Sequence, residues 1–369
     1  MWSGAISVGT GLGPVIGGAL LEAFSWRAAF LLAVPVMVLV AIGAPFLLPA
    51  NRNPAAGRVD VVSVLLSLAT LLPIVYGAKE LGKDDQFAVA LAAIVIGLAF
   101  GAWFVIRQLR LPEPLLDVRL FTHRAVSGAL GVFLLAATAL GGVYLLFTQF
   151  LQLVEGLSPL QAGLWVLPAA ALLVLVSSAS PILARRVRPG HLIAAGLATQ
   201  VIGYLMLTQV GAIGGLGLLI AGFMVLYPAV APSMALTTNI VVGSVPPQKA
   251  GAASGLATTC SDLGISLGIA VIGSIAASVY RGQAGAELPD GLPPQALADS
   301  RDSLDGAVAA AQTLPGDLAA AVLTPARAAF AGGLNTAAAV AATIAAGAAV
   351  LALVRLGHIP PTGPGKAGE

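Results

Sequence analysis

The chain has 369 residues, of which 58% are hydrophobic and only 9% are charged. A soluble domain carries about 25% charged residues, so this composition indicates an integral membrane protein. The net charge of +2 argues against the basic surface of a nucleic-acid-binding protein. Cys260 is the only cysteine, which excludes an internal disulfide. His123, His191 and His358 stand far apart without ligand partners nearby, so we expect neither a metal nor a cofactor.

About ten segments are apolar over enough residues to cross the membrane, which takes about 20 residues per helix. They lie near 2–23, 28–48, 61–79, 87–107, 126–150, 159–183, 190–209, 213–240, 250–280 and 330–355. The runs are too long and too continuously apolar for barrel strands. The predicted fold is therefore an all-α membrane bundle.

The charges of the connecting loops favour one orientation. If both termini are cytoplasmic and the segments alternate, twelve of the eighteen Lys and Arg residues lie on the inner side. These are Arg52, Arg58, Arg107, Arg110, Arg119, Arg124, Arg185, Arg186, Arg188, Lys249, Arg355 and Lys366. Such a positive-inside bias is typical of multi-pass proteins of the cell membrane.

The first segment contains the run GTGLGPVIGG at residues 9–18. Gly9, Gly13 and Gly17 are four residues apart and share one face of a helix. A face without side chains lets another helix approach closely in lipid. Pro14 removes one backbone donor and kinks the helix beside this groove. A close-packing face is one interpretation, and it is common in any membrane bundle.

The same run resembles the antiporter motif of the major facilitator superfamily, G-x-x-x-G-P-x-x-G-G, on the fifth helix of proton-driven exporters. Gly9, Gly13, Pro14, Gly17 and Gly18 fill every defining place of that motif. The resemblance implies that this face packs against the opposite half of the protein and limits leak.

Asp262 is the one acidic residue that the loop assignment places on neither side of the membrane. Residues 248–280 are predicted to form one long helix, in which Asp262 stands about 20 Å from the inner end. A charge near the bilayer centre costs about 2.5–3.5 kcal/mol on insertion scales, so it normally faces a cavity or a partner. Removal from water favours the protonated form of a carboxylate, which suits a proton-coupled exchanger.

The helical period gives this segment two different faces. Thr258, Thr259 and Ser266 share the Asp262 side, and Gly264 and Gly268 lie on the opposite side. We therefore predict a polar, open face and a close-packing seam. Asp262 is predicted to couple protons or bind a cation. The alternative is a structural carboxylate held by Thr258 or Ser266.

A second resemblance is carried by PPQKAGAASG at residues 246–255, followed by Asp262-Leu263-Gly264. Together they are similar to the fourteen-helix drug:proton antiporters. Members of the branch that exports quaternary ammonium compounds carry an acid before Leu-Gly. The resemblance implies proton-driven efflux.

Other features allow two interpretations each. Tyr144, Gln149 and Gln152 are candidates for a substrate cavity, or are satisfied by neighbouring helices. The loop at 184–190 resembles a weaker copy of the family's gating loop, but its aspartate is absent. Pro228 and Pro232 interrupt their segment as a plain kink or as a gate.

Two connecting segments are predicted outside the bilayer. We expect a short surface helix or a solvated linker within 107–124 and an extracellular loop at 281–329, with short helices at 299–313 and 318–329. That loop carries no paired catalytic carboxylates, no Ser-His-Asp set and no phosphate loop. The protein is therefore not expected to be an enzyme.

By this resemblance the ten segments correspond to helices five to fourteen of a fourteen-helix transporter, so an N-terminal truncation is expected. Residues 1–48 are the last two helices of the N-terminal half, and 49–125 hold two central linker helices and a cytoplasmic loop. Residues 126–369 form the six-helix C-terminal half. The predicted function is proton-coupled efflux of lipophilic or cationic small molecules by a monomer. The alternatives are a non-transporting fragment, or a metabolite exporter or uniporter of the same fold.

Overall fold

The structure is a computed structural model that describes residues 2–24, 26–47, 60–80, 86–111, 118–246, 250–289 and 291–363. Within these ranges the chain is almost entirely helical and contains no strand. Nine helical stretches among the described residues are long and apolar enough to cross a bilayer. The predicted all-α membrane fold is confirmed.

Fourteen α-helices account for the described chain. They are α1 (Trp2–Ala23), α2 (Trp26–Leu31), α3 (Ala33–Leu47), α4 (Val61–Glu80), α5 (Phe87–Arg110), α6 (Arg124–Gln149), α7 (Pro159–Leu183), α8 (Pro189–Leu207), α9 (Leu216–Leu226), α10 (Ala231–Gly243), α11 (Ala250–Glu287), α12 (Pro294–Asp302), α13 (Leu304–Ala311) and α14 (Gly316–Leu356). Each of the ten predicted segments falls on one or two of these helices.

The best-packed part of the molecule is formed by α6 to α11 together with α14. Helix α6 packs against α11 and α14, and α8 packs against α14 and α9. Large side chains such as Phe147, Phe150 and Tyr204 are fully buried there, among many alanines of α14. Helix α1 lies against α7, while α4 and α5 pair with each other. Small residues at these contacts allow the close approach that helices need in lipid.

The segment between α11 and α14 is shorter than expected. Helix α11 continues to Glu287 and α14 begins at Gly316, so the predicted separate helix at 318–329 is wrong. It is the start of α14, because alanines surround Pro325 and a single proline removes only one hydrogen bond. The predicted helix at 299–313 is divided at Ser303, whose Oγ accepts a hydrogen bond from the Gly306 N–H at 3.1 Å and caps α13.

Two other predictions concern interruptions of the helices. The proline break in the segment 213–240 is confirmed, since a 3₁₀ turn at Pro228–Val230 separates α9 from α10. The expected surface helix within 107–124 falls partly on 112–117, outside the described residues. The part that is described forms a 3₁₀ turn at Val118–Thr122.

Candidate functional site

One face of α11 is a tight seam with α6. A Cβ atom at Gly264 would lie 2.6 Å from the carbonyl oxygen of Leu134, and Gly268 stands against the Thr138 carbonyl more closely still. Helix α6 contributes Gly141, whose Cβ would lie 2.7 Å from the Ile265 carbonyl oxygen. No side chain fits at these positions, so the predicted close-packing seam is confirmed.

The opposite face of α11 is open. A Cβ atom at Gly251, Gly255 or Gly273 would have no neighbour within 4 Å among the described residues. The polar side chains of this face are exposed, namely Thr258, Thr259, Asp262 and Ser266. The predicted division of the helix into a polar open side and a packed side is thus present. The roles of these residues stay predictions.

The Asp262 carboxylate makes no hydrogen bond or ion pair with any residue that the structure describes. The nearby hydroxyls bind backbone instead. Thr258 Oγ1 donates to the Ser254 carbonyl at 3.1 Å, and Ser266 Oγ donates to the backbone carbonyl of Asp262 at 2.8 Å. Asp262 lies about 18 Å from the first residue of α11 at 1.5 Å per residue. The alternative in which Thr258 or Ser266 holds the carboxylate is therefore not seen.

A cavity of about 550 Å³ lies between α4, α6, α11 and the segment around α13. Its volume is in the range of drug-sized sites, about 300–1,000 Å³. Of the candidate residues, Gln149 and Ser266 line this cavity, and Lys79, Asp302 and Asp305 line it as well. The other candidates, Tyr144, Gln152, Thr258, Thr259 and Asp262, do not line it.

Tyr144 belongs instead to an aromatic cluster with α9. Its ring centroid lies 5.8 Å from that of Tyr227, and Phe223 stacks on Phe147 at 3.8 Å. Phe147, Phe223 and Tyr227 are not among the residues predicted from the sequence. The spacing of Tyr144 to Phe147 and of Phe223 to Tyr227 is the signal that places each pair on one helix face. Gln152 is exposed and donates weakly to the Thr148 carbonyl at 3.4 Å.

The glycine run of α1 divides into two stripes. Gly9, Gly13 and Gly17 have no heavy atom within 4 Å of a Cβ position among the described residues. The expected packing partner of this stripe is therefore not found in the described part of the chain. The stripe is an open glycine face, like the open side of α11.

The second stripe of α1 is packed tightly against the start of α7. A Cβ at Gly18 would lie 2.5 Å from the Pro159 carbonyl oxygen, and one at Gly163 would lie 2.7 Å from the Pro14 carbonyl oxygen. Pro14 and Gly18 are four residues apart and share a face, about 100° from the open stripe. Within the run, Pro14 and Gly18 make the helix contact that the three spaced glycines were expected to make.

Ser158 is the N-cap residue of α7. Its Oγ accepts a hydrogen bond from the Gln161 N–H at 3.2 Å, and the Gln161 side chain accepts one from the Ser158 N–H at 3.0 Å. This capping box satisfies two backbone donors. Ser158 Oγ also lies 3.2 Å from the Glu22 carboxylate, which joins the end of α1 to the start of α7.

A polar network that was not predicted from the sequence joins α4 and α5 at one end of the pair. Asp60 accepts two hydrogen bonds from Arg107 Nη2, at 3.1 and 3.0 Å, and one from Ser63 Oγ at 2.6 Å. Gln108 Nε2 donates to Ser63 Oγ at 2.6 Å. The hydrogen bond from Ser63, followed by that from Arg107, lowers the pKa of Asp60 to about 2. The sequence signal for this network was the antiparallel pairing expected of the consecutive predicted spans 61–79 and 87–107, which brings the start of the first span close to the end of the second.

Two arginines, Arg124 at the start of α6 and Arg188 just before α8, donate to backbone carbonyls at the end of α14. Arg124 Nη2 donates to the Val354 carbonyl at 3.1 Å, and Arg188 Nη1 donates to the Gly357 carbonyl at 3.2 Å. Cations at a helix C-terminus satisfy free carbonyls and oppose the helix dipole. Two arginines thus secure the last turn of α14.

Comparison with known proteins gives a consistent picture. The family profile described as Major Facilitator Superfamily matches residues 1–269. The multidrug efflux pump LfrA of Mycolicibacterium smegmatis is 38% identical over 315 residues, which cover 85% of this chain and 62% of that protein. The tetracenomycin C resistance and export protein of Streptomyces glaucescens is 32% identical, with 85% and 60% covered.

The methyl viologen resistance protein SmvA of Salmonella typhimurium is 33% identical over 333 residues, with 85% of this chain and 63% of that protein covered. The chain thus spans about three fifths of the length of these curated relatives.

Proposed function

This chain belongs to the major facilitator superfamily, and on that premise we propose that it acts in proton-coupled efflux of lipophilic, cationic small molecules. As a multi-pass membrane protein of this family, it would move its substrate rather than convert it. In this proposal Asp262 carries the proton or faces the cation. Thr258, Thr259 and Ser266 extend the polar stripe along which the substrate passes.

The proposal rests on the environment of Asp262. It stands about 18 Å from the start of a helix long enough to cross the membrane, on an open face, without a partner among the described residues. A carboxylate within a span is costly and is normally retained at a substrate or proton pathway. The opposite face is sealed by the glycine seam with α6, so a substrate would approach this helix from the Asp262 side.

The names of the relatives support the direction of transport. One is a multidrug efflux pump, one a resistance and export protein, and one a methyl viologen resistance protein. These are properties of the relatives, which are longer than this chain. We extend export to this protein because similarity covers 85% of its residues.

The orientation is part of the same proposal. The arginine-rich end, with Arg124, Arg185, Arg188 and Arg355, lies on the cytoplasmic side by the positive-inside rule. Both termini would then be cytoplasmic, and α12 and α13 would lie outside. The proposed functional unit is a monomer that uses protons as its coupling ion.

Replacing Asp262 by Asn tests the proposal, because Asn keeps the shape and removes the charge. A lipophilic cationic dye is added outside everted membrane vesicles that contain the protein, and dye uptake and substrate-induced proton release from the lumen are recorded. We expect Asp262→Asn to lower transport about tenfold or more, which corresponds to about 1.4 kcal/mol or more of lost interaction. Asp262→Glu should keep part of the activity, because a titratable carboxylate remains.

The matched control is Asp317→Asn, which removes an exposed carboxylate at the start of α14. It should leave both readouts unchanged. Unchanged dye transport and proton release in Asp262→Asn would make Asp262 a structural residue. A protein that moves no dye in any form of the assay would contradict efflux itself and favour the non-transporting alternative.

A further inference from the structure

A set of buried polar groups without partners lies away from the Asp262 face. Gln200 and Tyr204 of α8 are both completely buried, with 0% of their surface exposed. Both amide atoms of Gln200 and the Tyr204 hydroxyl have no hydrogen-bond partner among the described residues. The two residues are one helical turn apart and point to the same side of α8. Buried polar groups are paired in most proteins, so this cluster requires an explanation.

The neighbour of this side of α8 is the broken helix formed by α9 and α10. A Cβ at Gly196 would lie 2.7 Å from the Ala229 carbonyl oxygen, and one at Gly203 would lie 2.9 Å from the Gly222 carbonyl oxygen. Gln200 lies four residues after Gly196 and three residues before Gly203, so it is on the same face of α8 as these two glycines. Helix α8 and the broken helix α9–α10 run antiparallel. Gln200 is therefore level with the residues between Gly222 and Ala229, at the start of the Pro228 turn.

The backbone is short of hydrogen bonds at the same level. Pro228 has no N–H, so the Met224 carbonyl loses its usual helical donor. The next N–H groups form 3₁₀ bonds instead, since Val230 donates to the Tyr227 carbonyl at 3.4 Å. The Ser233 hydroxyl, also fully buried and without a partner in the described chain, stands just beyond this turn. Donors and acceptors are thus present on both sides of the junction.

We propose that Gln200 binds one or more internal water molecules that bridge its amide to the backbone at the Pro228 break. Internal waters usually make about three hydrogen bonds to otherwise unsatisfied groups. Gln200 offers two donors and an acceptor, and the freed carbonyl offers another acceptor. Proline breaks within membrane helices are tolerated when water or a neighbouring side chain replaces the lost bonds. The hydrated junction is the hinge at which α10 bends relative to α9.

Radiolytic hydroxyl-radical labelling with mass spectrometry tests for this water, because radicals formed at a bound water label adjacent side chains. The protein is studied in lipid nanodiscs. We expect Tyr204 to be labelled although it is completely buried, and Gln200→Leu to lose most of that label. The control is Gln209→Leu, which removes an exposed amide just after α8 and should keep the Tyr204 label.

Two labelling results would overturn the proposal. One is a wild-type protein in which Tyr204 takes no label, and this result does not depend on whether any variant folds. The other is an equal Tyr204 label in wild type and Gln200→Leu. Gln200→Asn has a shorter side chain that still ends in an amide, so it should retain part of the Tyr204 label. This variant replaces Gln200→Leu in the test if Gln200→Leu does not fold.

Amide hydrogen exchange measures the hinge separately. We expect the backbone N–H groups between Val225 and Val230 to exchange faster than those of α8, and their rate to change in Gln200→Leu but not in Gln209→Leu. Equal exchange rates at these N–H groups in wild type and Gln200→Leu would contradict a hydrated hinge.

Discussion

The two faces of α11 are made from similar residues and have opposite environments. Gly264 and Gly268 stand against backbone atoms of α6, whereas Gly251, Gly255 and Gly273 have no described atom within 4 Å of a Cβ position. A glycine by itself therefore does not indicate a close helix contact. What distinguishes the faces is the partner, since α6 brings its own glycines to the seam. The open face carries hydroxyls and the Asp262 carboxylate instead.

Helix α1 repeats the same division. Its spaced glycines Gly9, Gly13 and Gly17 are open, while Gly18 is packed against α7. In both helices the packed stripe determines how the helices are held together. The open stripe has no described neighbour at its glycines. This comparison predicts which substitutions damage folding and which damage transport.

The largest effect is expected at the α11–α6 seam. In Gly268→Leu the new side chain would meet the Thr138 carbonyl. Severe overpacking of this kind lowers the free energy of unfolding by about 3 kcal/mol or more. We expect a large fall in the thermal midpoint and aggregation in gel filtration. Gly255→Leu, on the open face, should change stability by about 0.5 kcal/mol or less. Equal stability of the two variants would break the comparison.

A smaller effect is expected at α1. Gly18→Leu would push the helix away from Pro159 and should destabilise the protein by about 1–3 kcal/mol. A Cβ atom at Gly13 or Gly17 has no described neighbour within 4 Å, so Gly13→Leu and Gly17→Leu should keep the thermal midpoint. We expect these two to lower dye transport while insertion is normal, because a leucine would add bulk to the open stripe. Normal transport in both would show that this stripe needs no tight partner.

The smallest effect is expected at Asp60, which sharpens the contrast between a paired carboxylate and an unpaired one. The pKa of Asp60 is lowered from 3.8 to about 2 by Ser63 and Arg107. Its stabilising contribution is therefore complete above its ordinary pKa and is lost only as the pH falls towards 2. Asp60→Asn should lower the thermal midpoint slightly at neutral pH and leave the pH profile of dye transport unchanged.

The pH profile of Asp262→Asn is the matching measurement, because Asp262 lacks such partners among the described residues. We expect dye transport by Asp262→Asn to be independent of pH over the range in which transport by the wild-type protein varies with pH. A changed pH profile in Asp60→Asn would instead place a coupling group in the α4–α5 pair.

The sequence by itself determined the fold class, the approximate helix positions and the two faces of α11. These follow from local properties: the length of the apolar runs, the 100° rotation per residue and the scarcity of charge. Ser158 as a cap and the break at Pro228 were also predictable, because capping and the missing proline N–H act within one helical turn.

The tertiary structure alone decided which small-residue stripe is packed. Gly18 rather than Gly17 meets α7, and the choice depends on how two distant helices dock. It likewise placed Gln149 and Ser266 at one cavity and Tyr144 in an aromatic cluster, and it joined Asp60 to Arg107. Such contacts link residues far apart in the chain, and helical periodicity specifies a direction from each helix but not the neighbour found there.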